Sequence, residues 1–137
     1  MDKYLCEELM ERAVKARLFA YVPYSNFRVG AALLAKNGKI YEGCNIENAA
    51  FSPTNCAERT AFFKAVSEGE RDFEAIAIVG GDNPPGTYCP PCGVCRQVML
   101  EFCDPANFLV ILGNNKKDYK TFLLKDLMPF SFRKENL

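Results

Sequence analysis

The 137-residue chain contains no histidine. That absence removes every Ser-His-Asp and Cys-His catalytic arrangement, every histidine-containing metal site and the commonest general base near neutral pH. Acid-base chemistry falls to Asp, Glu, Cys, Tyr or Lys. Net charge is lacking too: Lys plus Arg and Asp plus Glu both number 17. Bulk electrostatic attraction toward nucleic acid or anionic lipid is therefore absent, which disfavours polymer substrates. Long apolar runs are missing as well. A stretch such as Phe108–Leu112 falls far short of the roughly 20 residues that a membrane helix needs. Residues Met1 to Glu8 carry acids and lack the apolar segment of a secretory signal. The expectation is a soluble, cytoplasmic protein with no nucleic-acid or membrane partner.

What is present suits one ordinary domain spanning 1–137, with 49% hydrophobic and 25% charged residues around a single core. Seven cysteines is an odd number. In a cytoplasmic protein, clustered cysteines point to metal binding or catalysis rather than to structural disulfides.

Leu5, Leu9, Ala13, Ala16 and Ala20 recur at helical spacing, which predicts a helix over Lys3–Tyr21 ending before Pro23. Arg28–Ala35 and Lys39–Cys44 flank Lys36-Asn37-Gly38 and read as an antiparallel hairpin. Cys56–Ser67 follows as a helix with Asn55 as its N-cap. Glu74–Gly81 then reads as a strand, Asp82–Pro91 as a loop, and Cys92–Cys103 as another helix. Phe108–Leu112 and Tyr119–Phe122 complete the strands, with a short helix over Leu123–Met128. The pattern predicts an α/β fold: a three-layer α/β/α sandwich with a mixed, mainly parallel five-stranded sheet.

Cys92-Gly93-Val94-Cys95 places two thiols one turn apart at a helix start, a spacing that lets both sulfurs face one metal ion. A redox pair or two buried thiols are the plainer readings of that spacing. Cys56 adds a third thiol at the start of the other helix, with Glu58 two positions on and Arg59 beside it. Two helix N-termini on neighbouring crossovers converge at one sheet edge, where the dipoles favour thiolates. Three protein ligands leave a fourth tetrahedral position open for water, and Glu58 is then free to move its proton. Arg59 is placed to donate hydrogen bonds to the sulfurs and offset their charge.

Cys56-Ala57-Glu58-Arg59 and Pro91-Cys92-Gly93-Val94-Cys95-Arg96-Gln97 resemble the two zinc motifs of the small cytidine deaminases. Pro23–Ala31 and Gly43–Ala49 resemble further family segments, so the likeness covers nearly the whole chain. It implies one zinc ion per subunit on Cys56, Cys92 and Cys95, with Glu58 as the catalytic proton carrier. It also implies that the Ala57 amide binds the pyrimidine carbonyl, that Asn45 and Glu47 bind the ribose, and that Phe27 packs along the nucleoside. Phe132 would reach into a neighbouring subunit's site within a homotetramer. The implied activity is hydrolytic deamination of cytidine and 2′-deoxycytidine in pyrimidine salvage.

Two features depart from the family pattern. Phe51 stands where a tyrosine is expected, and Cys89 offers a fourth thiol that would close the site into an inert four-cysteine centre. Rival readings are a deaminase of another aminated heterocycle such as blasticidin S, a structural-zinc module, and a cytoplasmic redox protein.

Overall fold

The computed structural model describes residues 1–137. Helix α1 spans Lys3–Ala16 and starts where Asp2 Oδ1 accepts the Leu5 amide at 2.9 Å, an N-cap that satisfies an otherwise orphaned donor. Its inner face is Cys6, Leu9, Met10, Ala13 and Ala16. The helix tightens into a 3-10 turn over Arg17–Phe19 and stops short of Tyr21. Tyr21 is extended instead, and its backbone bonds to Asn45 and Glu47.

Strands β1 (Val29–Ala35) and β2 (Ile40–Cys44) form the hairpin around Asn37-Gly38, in register from Gly30↔Cys44 to Leu34↔Ile40. Helix α2 (Ala57–Ser67), β3 (Phe73–Gly80), α3 (Gly93–Phe102), β4 (Leu109–Asn115) and β5 (Asp118–Leu123) follow. The expected C-terminal helix is a 3-10 turn at Leu124–Leu127. The sheet order is β2-β1-β3-β4-β5.

The mixed five-stranded sheet stands, but its pairing is not mainly parallel. Only β3 and β4 pair in parallel; β1 is antiparallel to both β2 and β3, and β4 to β5. The crossovers through α2 and α3 do make β2, β3 and β4 run one way. The hairpin partner β1 lies between β2 and β3, so β2 never touches the other two co-directional strands.

Alternating side chains of this sheet serve two cores, as strand geometry requires. Ala32, Leu34, Ala75, Ala77, Val79 and Ile111 pack under α1. Ala31, Leu33, Ile76, Ile78 and Val110 face α2 and α3, where Phe62 meets Phe73, Phe108 and Phe102 with ring centroids 5.1, 6.1 and 6.3 Å apart. Gly43 lets α2 press onto β2: a Cβ there would lie 2.4 Å from the Ala57 carbonyl oxygen. No helix is long and apolar enough to cross a membrane.

This topology positions the site. Helix α2 begins beyond the carboxyl end of β2 and α3 beyond that of β3, so both N-termini open at one edge of the sheet, with the amino end of β1 between them.

Candidate active site

Both helices start on a cysteine. Cys56 is the N-cap of α2 and Cys92 that of α3, each in extended conformation and neither making a side-chain cap bond. Residues that favour N-caps supply an oxygen for the first-turn amides. Here the caps make no such bond, which leaves first-turn N–H groups without a side-chain partner. Asn55, expected as the cap of α2, instead pairs its backbone with Ile46 and donates from Nδ2 to Thr60 Oγ1 at 3.1 Å. Thr60 Oγ1 in turn lies 3.0 and 3.2 Å from the Cys44 and Cys56 carbonyls, tying the cap to the end of β2.

The sulfurs of Cys56, Cys92 and Cys95 lie within 4.8 Å of one another, and Cys56 and Cys92 are 3.8 Å apart. Ligands about 2.3 Å from a tetrahedral zinc lie about 3.8 Å from each other. The Cys56–Cys92 separation matches that spacing, and the three-thiol group is suited to zinc. Cys89 is not in the group, and burial pushes its thiol up to about 11, with the charges of Glu58, Cys56 and Cys92 adding to the effect. A site of three thiols has room for a fourth, exchangeable ligand, which is the catalytic rather than the closed structural arrangement.

Arg59 Nη2 donates to Cys56 Sγ at 3.3 Å. Burial opposes the guanidinium charge, yet hydrogen bonds to Cys56 and Cys95 outweigh it and raise the pKa of Arg59. The Cys56 thiol is lowered to about 5, chiefly by a hydrogen bond from Cys95 and then by the bond from Arg59. Arg59 Nε is buried with no hydrogen-bond partner.

Glu58 sits in the first turn of α2, is 4% exposed and is the one buried charged residue of the chain. Burial raises its carboxyl to about 7, and the nearby Cys56 charge adds to that shift. A carboxyl in this range holds and releases a proton near neutrality, the role that histidine takes elsewhere. Ala57, the first residue of α2, is fully buried.

Of the expected substrate contacts, Phe27, Asn45 and Glu47 gather at the start of β1. Asn45 Oδ1 accepts from the Val29 amide and its Nδ2 donates to the Phe27 carbonyl, both at 2.9 Å. Glu47 Oε1 accepts the Tyr24 and Ser25 amides at 3.0 and 3.1 Å, and Oε2 accepts the Ser25 hydroxyl. The two side chains thus brace the segment that carries Phe27. Phe27 itself is 38% exposed. Phe132 lies apart, 60% exposed, with its carbonyl held by Gln97 Nε2 at 2.9 Å. Phe51 is exposed, with φ of 62°.

Two further residues hold the site together, and their roles were not legible in the sequence. Ser25 completes the Glu47 brace. Arg96 Nε donates to the Pro91 carbonyl and its Nη1 to the Leu127 carbonyl, each at 2.8 Å, securing the Cys92 loop against the C-terminal segment. Arg96 belongs to the Pro91–Gln97 motif, but the motif alone does not give its carbonyl partners.

A family model described as the cytidine and deoxycytidylate deaminase zinc-binding region matches residues 4–111. The cytidine deaminase of Sporosarcina psychrophila is 55% identical over 131 residues, 96% of this chain and 93% of that protein.

The chain belongs to the cytidine deaminase family.

The family's cytidine deaminase from Halalkalibacterium halodurans is 53% identical over 137 residues, 100% of this chain and 98% of that protein. The crystal structure of cytidine deaminase from Burkholderia pseudomallei superposes with a TM-score of 0.83 at 48% identity, covering 91% of this chain and 97% of that one. Cys56, Glu58, Cys92 and Cys95 all fall inside the matched zinc-binding region. Zinc on three cysteines is a known variant of cytidine deaminase chemistry, and the thiol geometry here suits it.

Proposed function

We propose that the protein hydrolyses cytidine and 2′-deoxycytidine to the corresponding uridines with release of ammonia. The observation that carries this reading is the buried Glu58 carboxyl two residues from Cys56 in a three-thiol group. When bound on Cys56, Cys92 and Cys95, zinc supplies Lewis acidity at its open position, bringing the pKa of a water toward neutrality.

Glu58 accepts a proton from the attacking water as its oxygen adds to C4 of the ring, and delivers that proton to N3. Glu58 then carries the proton of the new C4 hydroxyl to the exocyclic amine; the C4–N bond breaks, ammonia leaves and the C4 carbonyl of the uridine forms. The Ala57 amide, unused by any cap, donates to the pyrimidine carbonyl and fixes the ring's orientation. Asn45 and Glu47 receive the ribose hydroxyls with the hydrogen-bonding capacity that remains beyond their brace. Phe27 lies along the nucleoside. Arg59 stabilises charge on the sulfurs.

Phe132, exposed and anchored only through its backbone, completes the site of a neighbouring subunit in a homotetramer with one zinc per subunit. The enzyme works in the cytoplasm in pyrimidine salvage. Balanced charge and the absence of histidine ligands set it apart from nucleic-acid editors.

The test is direct: zinc-loaded protein is incubated with cytidine, 2′-deoxycytidine and blasticidin S in parallel, and products are separated and identified. Uridine and ammonia in equal amounts support the proposal. Turnover of blasticidin S alone would assign the site to another heterocycle.

A further inference from the structure

Phe27 precedes β1, and its ring lies across the last residue of β3 and the residue after it. A Cβ on Gly81 would sit 2.6 Å from Phe27 Cε1, and one on Gly80 would sit 3.1 Å from Phe27 Cε2. Two consecutive glycines therefore form a floor on which the ring rests directly against backbone. The same hypothetical Cβ of Gly80 would lie 2.8 Å from Cys89 Sγ, and Cys89 in turn feels the charges of Glu58, Cys56 and Cys92. The floor thus adjoins the metal-binding thiols.

A glycine pair is flexible unless its backbone is held. Here both carbonyls are held by side chains. Asn83 Nδ2 donates to the Gly80 carbonyl at 2.7 Å, a local contact within the turn. The Gly81 carbonyl is held from the opposite layer: Arg17 Nη1 donates to it at 2.5 Å, from the 3-10 turn that ends α1. Arg17 Nε also reaches the Val14 carbonyl at 3.3 Å, which fixes the guanidinium plane. Its side chain is 22% exposed, whereas its ionic partner Asp82 is 98% exposed. A pair with so exposed a partner contributes little by itself. Gly81 has φ of 64°, a left-handed conformation that the carbonyl bond from Arg17 secures. The Gly81 amide is committed as well, donating to the Arg28 carbonyl at 2.8 Å.

We infer that Arg17 is a positioning residue of the nucleoside site, holding the Gly80-Gly81 turn as the floor that sets the height and tilt of the Phe27 ring. Arg17 touches neither substrate nor zinc; it acts through Gly81 and Phe27, and the inference rests on the proposed packing of Phe27 along the nucleoside. Loss of the anchor frees the floor, lets the ring tilt, and weakens nucleoside binding before and during reaction alike. Loss of such uniform binding raises KM and leaves kcat in place.

The experiment is a double-mutant cycle on the full-length, zinc-loaded protein, with Arg17→Met, Phe27→Ala and the double variant. Zinc content and Tm are recorded alongside steady-state kinetics with cytidine. Arg17→Met is expected to raise KM about tenfold with kcat within about twofold of the parent and one zinc retained. The double variant is expected to match Phe27→Ala alone, because the floor has no ring left to position. Arg17→Lys, which keeps a donor and the charge, serves where Arg17→Met folds poorly, and its KM should rise less than that of Arg17→Met. Additive effects of the two substitutions would overturn the inference, as would a lower Tm with KM unchanged. A Phe27→Ala variant with parental KM would overturn the Phe27 contact itself, and the role of Arg17 with it.

Discussion

Arg59 Nη2 lies 3.3 Å from Cys56 Sγ, so a cation three residues along α2 addresses the thiolate at the helix's own N-cap. Three thiolates on a divalent zinc leave a net negative charge. Hydrogen bonds to the sulfurs draw that charge off and keep the metal electrophilic. An Arg59→Met variant is expected to lose about 10- to 100-fold in activity or zinc affinity. Activity, paired with zinc competition by a chelator, measures both; parental values for each would remove Arg59 from the metal centre.

Cys89 lies outside the cluster of three sulfurs suited to zinc, which predicts three protein ligands. Cys89→Ser should therefore retain one zinc per chain, whereas Cys92→Ser or Cys95→Ser should bind it far more weakly. Metal analysis of the purified variants decides this. Zinc loss in Cys89→Ser would indicate a closed, four-thiol centre.

Gly43 sits where β2 meets the first turn of α2. A Cβ there would lie 2.4 Å from the Ala57 carbonyl oxygen and 2.6 Å from the Ala61 amide nitrogen, both backbone atoms unable to swing aside. Gly43→Ala must push α2 outward, at a cost of about 1–3 kcal/mol for overpacking. The displaced turn carries Glu58 and begins at Cys56, so zinc affinity should fall together with Tm. A variant that loses stability but binds zinc as the parent does would show that α2 moves without its N-terminus.

Hydrogen bonds from Ser25 hold the Glu47 carboxyl below the usual carboxylate range. With the folded pKa depressed, the stabilisation is complete above the unfolded value and is lost as pH falls through the folded one. Carboxyl-carbon NMR of Glu47 should show a low titration midpoint in the parent and a return toward the ordinary value in Ser25→Ala. An unchanged midpoint in that variant would remove Ser25 as the cause.

Local chemistry made much of the molecule legible. The spacing of Leu9, Ala13 and Ala16 located the buried face of α1, with Leu5 partly buried at its edge, and Asn37-Gly38 located the hairpin. The metal-binding thiols and Glu58 were readable because each contributes within four residues of a helix start. Contacts joining distant segments were not. The insertion of β1 between β2 and β3 depends on which strand edge the hairpin presents, and no local pattern encodes that choice. Arg17 meets Gly81 across 64 positions. The family resemblance alone implied a ribose role for Asn45 and Glu47, and their bracing of residues 24–29 required the fold. Asn55 had the chemistry of an N-cap, yet its backbone pairs with Ile46 and the cap of α2 falls on Cys56, one of the three clustered thiols.

The most direct measurement compares the parent with Glu58→Gln, both shown to carry one zinc per chain, in the conversion of cytidine to uridine. Buried beside Cys56 at the metal-binding thiols, Glu58 is the residue assigned both proton transfers. The variant should bind zinc and nucleoside while losing at least about 100-fold in kcat. Parental turnover by zinc-loaded Glu58→Gln would contradict the assignment.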